Sequence, residues 1–159
     1  MKTTDLIDHY EDALEIAHIA AFSRFGRQHE FGGEIITVRC YQDNTRLKKL
    51  LETPAAGRIA VVDGAASYGR ALMGDNVAAI AVSNGWKGIV INGYIRDSVD
   101  IDKLDLGVIA LGATPRRPLK NNDGAEGEVL HFANVTFRTG DYLYADEDGL
   151  LLSKTPLKL

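Results

Sequence analysis

The chain has 159 residues, 45% of them apolar and 25% charged, with sixteen glycines against four prolines. That balance predicts a single domain over residues 1–159 with a substantial core, and it excludes disordered and collagen-like chains. A formal charge of −4, from 18 basic and 22 acidic residues, opposes direct nucleic-acid binding and attachment to an anionic membrane, since both need a concentrated basic surface.

The acidic opening "MKTTDLIDHYEDALEIAHIAAF" lacks the cationic start and unbroken apolar stretch of a secretory signal. No run approaches the roughly 20 apolar residues that span a bilayer. A cytoplasmic protein with small-molecule or protein partners is expected. Residues 3–21 read as a helix, with Thr3 or Thr4 as its cap and Leu6, Ile7, Tyr10, Leu14, Ile16 and Ala17 at mostly helical spacing. The glycine pair Gly32 and Gly33 predicts a bend, followed by a strand over about 34–41 in the β-branched run "EIITVRCY". Cys40, the only cysteine, lies in that run as a small core residue.

Leu47, Leu50 and Leu51 predict a helix in "NTRLKKLLET", closed by Pro54 and Gly57. "RIAVVDG" is a short buried strand. "GDNVAAIAVSNG" reads as a helix opened at Asp75 or Asn76 and capped by Gly85. "KGIVING" is an apolar strand of the kind covered on both faces. Two strands bracketing a helix predict a right-handed βαβ unit. From "GVIALG" onward, alternation and the turn signals "TGD" and "DEDG" predict antiparallel strands or hairpins.

"VVDGAASYGRALMGD" has P-loop spacing between Gly64 and Gly69. Arg70 and Ala71 stand where the phosphate lysine and magnesium hydroxyl belong, so the stretch reads as a strand-ending turn. His9, His18, His29 and His131 are dispersed, and the first two would face opposite sides of one helix. The pairs Lys48–Lys49 and Arg116–Arg117 have the composition of solvated or interface charge.

Arg96 and Asp97 lie just past the strand "KGIVING", in the stretch "GIVINGYIRD". In α/β sheets ligands bind beyond the carboxyl ends of strands, beside free helix N-terminal amides. A guanidinium there suits a substrate carboxylate, and an aspartate suits a hard cation. The same composition describes a solvated surface pair.

Asp75 lies twenty-one positions before Arg96, and Asp97 follows at once, giving D-x20-R-D. With "FGGEIITVRCYQDN", "VVDG", "GWKGIVINGYIRD", "LGVIALG" and "VTFRTGDYLYADEDGLLLS", this pattern resembles the family that unites the regulator of ribonuclease activity A proteins with the 4-hydroxy-4-methyl-2-oxoglutarate aldolases. The resemblance spans nearly the whole chain. It implies an α/β fold of β/β/α swivelling-domain (phosphohistidine-domain-like) architecture, a mixed sheet with flanking helices, and a homotrimeric ring.

By the same resemblance Gly74, Asp75, Asn76 and Val77 contact substrate, and Arg96 binds its pyruvyl end. Asp97 ligates a divalent metal cation (Mg2+ or Mn2+), and Asp75 holds water on that metal. The catalytic pair implied is Arg96 and Asp75. The reaction implied is class II retro-aldol cleavage of 4-hydroxy-4-methyl-2-oxoglutarate to two pyruvates, with oxaloacetate decarboxylation alongside. The chain offers no secure match to the aldolase branch's longer C-terminal segment, which carries an acid into a neighbouring subunit. Its wording in "FGGEIITVRCYQDN" and "GDYLYADEDG" is closer to the regulator branch, whose members bind and inhibit an endoribonuclease (ribonuclease E) and so touch degradosome proteins. That branch's inhibitor lacks the acids matching Asp75 and Asp97, which this chain keeps. A quinone methyltransferase activity, a label attached to relatives, finds no G-x-G cofactor loop here.

Overall fold

Gly32 and Gly33 sit inside one strand and divide it between two sets of partners. A computed structural model describes residues 1–158. The first half contains helix α1 (Thr3–Tyr10), a 3-10 turn (Glu11–Ala13), β1 (Leu14–Ile16), β2 (Ser23–Phe25), β3 (Phe31–Arg39), α2 (Thr45–Leu51), β4 (Ile59–Asp63) and α3 (Asp75–Ser83). Then come β5 (Gly88–Ile95), α4 (Ser98–Ile101), β6 (Gly107–Ala113), β7 (Ala125–Glu126), β8 (Leu130–Phe132), β9 (Val135–Phe137), β10 (Tyr142–Ala145) and β11 (Leu150–Ser153).

The start of β3, Phe31 to Glu34, pairs antiparallel with β10, while Ile35 to Arg39 pairs parallel with β4. At this crossing the chains approach too closely for a side chain. A Cβ on Gly33 would stand 2.2 Å from the Gly57 carbonyl oxygen, and one on Gly32 would stand 2.8 Å from that of Leu143. Beyond the crossing, β3, β4, β5 and β6 run parallel, and β2 closes the edge antiparallel to β6.

Period-two alternation splits the buried residues of these strands between two cores. Val38, Val62, Ile91 and Ala110 face Leu47, Leu50 and Leu51 of α2 and Ala78 and Ala81 of α3. Ile35, Val61, Val90 and Ile109 face Leu143, Leu150 and Leu152 of the β10–β11 hairpin, together with Leu130 and Phe137 of the β8–β9 hairpin. The layers are therefore hairpins, parallel sheet and helices, the α/β mixed sheet expected. Each fully buried Val or Ile contributes about 1.5–3 kcal/mol through the area it removes from water.

Several boundaries differ from expectation. The first helix stops at Tyr10, and Leu14–Ile16 becomes a strand paired with Leu151–Ser153. There the edge of the β10–β11 hairpin outweighs helical spacing, and Ile16 is exposed. No side chain of the first turn caps α1. Instead the buried carboxylate of Asp146, from the distant β10–β11 turn, accepts from the Thr3 backbone N–H at 2.7 Å and the Thr3 hydroxyl at 2.6 Å. β6 pairs parallel with β5, not in a hairpin, because α4 supplies a second crossover.

Candidate active site

The carboxyl ends of β4 and β5 lie side by side, so the loops that leave them share one rim. Residues 71–73 run alongside the end of β5, parallel to it. The Leu72 N–H donates to Tyr94 O at 2.8 Å, the Arg96 N–H donates to Met73 O at 2.9 Å, and Met73 forms a parallel bridge with Ile95. This lacing sets the start of α3 against Arg96 and Asp97.

Gly74 is the N-cap of α3 and carries no side chain to satisfy the first-turn amides. One of them, the Asp75 N–H, donates to Asp97 Oδ2 at 3.2 Å. A Cβ at Gly74 would fall 2.7 Å from that same oxygen and 3.4 Å from Arg96 Nε. Asp97 itself adopts φ 56°, ψ 41° and caps α4, and its carbonyl oxygen accepts from the Ile101 N–H at 2.9 Å. The left-handed conformation turns the chain sharply and aims adjacent side chains into one space. Arg96 Nε lies 4.0 Å from Asp97 Oδ2, too far for a hydrogen bond, and is buried without a partner. A buried donor left without a partner costs free energy unless a ligand, ion or water satisfies it.

Gly74, Asp75, Asn76, Val77, Arg96 and Asp97 all line one cleft of about 590 Å3. The chain thus brings together every residue singled out for the site from sequence. It adds Asn44, Arg70, Arg117 and Lys120; of these the sequence reading had put Arg70 in a turn and Arg117 among solvated or interface charges, and had assigned no site role to Asn44 or Lys120. Arg70 in the glycine-rich loop was the only available signal. The others arrive through pairing of the 114–121 segment with the 42–45 loop, which no spacing rule announces: Leu119 N–H donates to Gln42 O, and Asn44 N–H to Leu119 O. Asp43, 2% exposed, fastens this strap by accepting from the Thr45 and Asn121 N–H groups. Burial pushes its carboxyl up, but these hydrogen bonds outweigh burial and hold it below the usual range.

Among the described residues no group of three or more His, Cys, Asp or Glu is placed to hold a metal. The cleft offers two carboxylates, Asp75 and Asp97. That donor set fits magnesium or manganese, which take one or two carboxylates and keep water, and does not fit a closed zinc site.

The fold is a parallel-stranded α/β domain whose strand ends carry a cleft lined by Arg70, Arg96, Arg117 and Lys120 beside Asp75 and Asp97, a composition suited to small anions. The profile of the RraA-like family, described as Aldolase/RraA, matches residues 3–152, and the chain belongs to that family. A Pseudomonas fluorescens SBW25 protein named "Putative 4-hydroxy-4-methyl-2-oxoglutarate aldolase" is 46% identical over 157 residues, 99% of this chain and 96% of that protein. The crystal structure of a Geobacillus kaustophilus protein, named as an S-adenosylmethionine:2-dimethylmenaquinone methyltransferase, superimposes with a TM-score of 0.95 at 39% identity, covering 99% and 97% of the two chains. The RNA-processing inhibitor RraA from Thermus thermophilus superimposes with a TM-score of 0.94 at 38% identity, covering 99% and 95%.

Proposed function

We propose that this cleft is the active site of a divalent-metal-dependent class II aldolase. It cleaves 4-hydroxy-4-methyl-2-oxoglutarate to two pyruvates and decarboxylates oxaloacetate as a side activity. The observation that carries this reading is the convergence of Arg96 and Asp97 on the first-turn amides of α3 in a cationic cleft, together with the aldolase names of the relatives.

Asp97 would hold the cation, and Asp75, on the adjoining turn, would hold water beside it. When bound, the cation supplies Lewis-acid polarisation of the 2-oxo group. Arg96 and the free amides of Asn76 and Val77 bind the carboxylate end of the substrate. The C4 hydroxyl gives its proton to solvent water and its O–H pair forms the new carbonyl as the C3–C4 pair passes to C3 and is delocalised onto the 2-oxo oxygen, where the Arg96 charge stabilises it; a proton returned to C3 completes the second pyruvate. Gly74 leaves the space in which these groups meet. The chain acts as one domain over 1–159 in the cytoplasm, assembled as a homotrimer.

The test is pyruvate release from 4-hydroxy-4-methyl-2-oxoglutarate and from oxaloacetate, with magnesium and with chelator. Chelator-sensitive release that disappears in Arg96→Ala and Asp97→Asn is expected. A purified, folded protein that releases no pyruvate would overturn the reading.

The likeness to an RNA-processing inhibitor favours a second reading, a protein regulator that binds an endoribonuclease such as ribonuclease E or its degradosome partners. Absence of pull-down at micromolar concentration would exclude it.

A further inference from the structure

A row of paired residues across the central sheet changes character at its last strand. Val61, Val90 and Ile109 lie opposite one another on β4, β5 and β6, and the next partner in the row is Arg24 on β2. Directly paired residues point to one face of a sheet. Arg24 therefore projects to the side on which Val61, Val90 and Ile109, each at most 1% exposed, pack against the hairpins. It is half-buried there. Among the described residues its guanidinium has no carboxylate within 4.0 Å and donates no hydrogen bond. Burial pushes this group below its ordinary value, against the pull of Asp146, Glu147 and Asp148 in the β10–β11 turn. A partly desolvated cation with five N–H donors and no acceptor calls for an anion.

Arg24 lines a second cleft of about 520 Å3, which shares no residue with the cleft around Arg96. Ile19, Phe22 and Ile109 give it an apolar floor, and the exposed acids Glu147 and Asp148 complete its lining. Glu147 Oε1 already lies 3.0 Å from His29 Nδ1. Asp148 is the free acid, with no cation within 4.0 Å among the described residues. The backbone fixes the loop that brings Ile19 here: the Ala17 N–H donates to Leu150 O at 3.0 Å and the His18 N–H to Ala133 O at 2.8 Å. Walls held in this way spare a ligand the cost of ordering them.

We propose that this second cleft binds an apolar α-amino acid as its zwitterion, the carboxylate on Arg24, the ammonium on Asp148 and the side chain on Ile19, Phe22 and Ile109. Arg24 and Asp148 line one space yet stand too far apart to pair with each other. A plain anion there would meet repulsion from Glu147 and Asp148, and a plain cation would meet it from Arg24. A molecule with both charges on neighbouring atoms relieves both, and the planar guanidinium fork matches a carboxylate. The proposal is independent of the aldolase reading, because the two clefts have no residue in common.

Isothermal titration of the full chain with L-leucine and L-phenylalanine, to about 10 mM, tests this. Saturable binding is expected, weakened about tenfold in Arg24→Met and in Asp148→Asn, the worth of one charge-assisted contact. L-leucine amide and N-acetyl-L-leucine, each lacking one of the two charges, should bind about tenfold less tightly than L-leucine. In Arg24→Met the amide and the free acid should bind alike, since the carboxylate has lost its partner.

Asp148→Asn, on an exposed turn, carries the test by itself if Arg24→Met fails to fold. Binding that persists in Asp97→Asn supports a site outside the Arg96 cleft. Binding lost in Asp97→Asn and kept in Asp148→Asn overturns the proposal. So does N-acetyl-L-leucine binding as tightly as L-leucine, or the absence of saturation with either amino acid.

Discussion

The backbone N–H of Asp75 donates to Oδ2 of Asp97 across 3.2 Å, tying the first turn of α3 to the loop after β5. The space that permits this bond is the missing side chain of Gly74, where a Cβ would intrude to 2.7 Å from the same oxygen. Gly74→Ala is therefore expected to push the Asp97 carboxylate away, because the side chain moves more cheaply than the backbone. A displacement of about 1 Å at a reacting centre costs on the order of 100-fold in rate. Thermal unfolding should shift by only a few degrees. Pyruvate release and differential scanning fluorimetry on the same preparation test this; wild-type activity in the variant would remove Gly74 from the account.

Asp97 carries two burdens, a charge and a left-handed backbone at φ 56°. Asparagine tolerates that conformation, whereas alanine is strained there by roughly 1–2 kcal/mol. Asp97→Asn should unfold at nearly the wild-type temperature while losing magnesium-dependent turnover. Asp97→Ala should lose turnover and about 1 kcal/mol of stability as well. Equal denaturant midpoints for the two variants would show that the backbone strain is absorbed elsewhere.

The βαβ core was legible because "IAVV" and "GIVI" are unbroken apolar runs, and the α3 boundaries were marked by Asp75 and Gly85. D-x20-R-D was equally visible, since the α3–β5 crossover fixes how far apart two residues on one rim fall in sequence. Leu14–Ile16 was misread because helical and strand spacings coincide over three residues, and only the β11 edge decides between them. The direction of β6 was hidden for a related reason, α4 being only four residues long. Arg70, Arg117 and Lys120 stayed out of view because hydrogen bonds between loops assemble them, and loops carry no period.

Cys40 is fully buried among Val38, Leu47 and Leu72, and burial pushes its thiol up to about 12. Thiolate is the reactive form, so between pH 7 and 9 the native protein is expected to resist a thiol-reactive disulfide reagent. One thiol per chain should be released in denaturant. Stoichiometric labelling of native protein within seconds at pH 8 would contradict the burial of this side chain.

Asp146 gives a pH dependence whose sign follows from its surroundings. Burial pushes its carboxyl up, but the Thr3 hydroxyl and the N–H groups of Thr3, Asp148 and Gly149 outweigh that and hold it below the usual range. The group is thus a stronger acid in the folded chain than in the unfolded one. Its stabilisation is complete above the unfolded value of about 3.9 and is lost as pH falls through the folded value. Asp146→Asn, which resembles the protonated acid in shape and charge, should cost about 1–3 kcal/mol at pH 7 through the loss of charge-assisted bonds. The gap between wild type and variant in urea midpoint should narrow steadily below about pH 4. Because Asp43 shifts in the same direction, only this difference, and not the wild-type acid transition alone, isolates Asp146. Hydrogen exchange supplies the local readout: amides of α1 should lose protection in the variant while those of β4 and β5 keep theirs, since Asp146 bonds to the first turn of α1 and not to the central sheet. A midpoint gap that stays constant from pH 7 to pH 3 would mean that the Asp146 charge contributes nothing to the docking of α1.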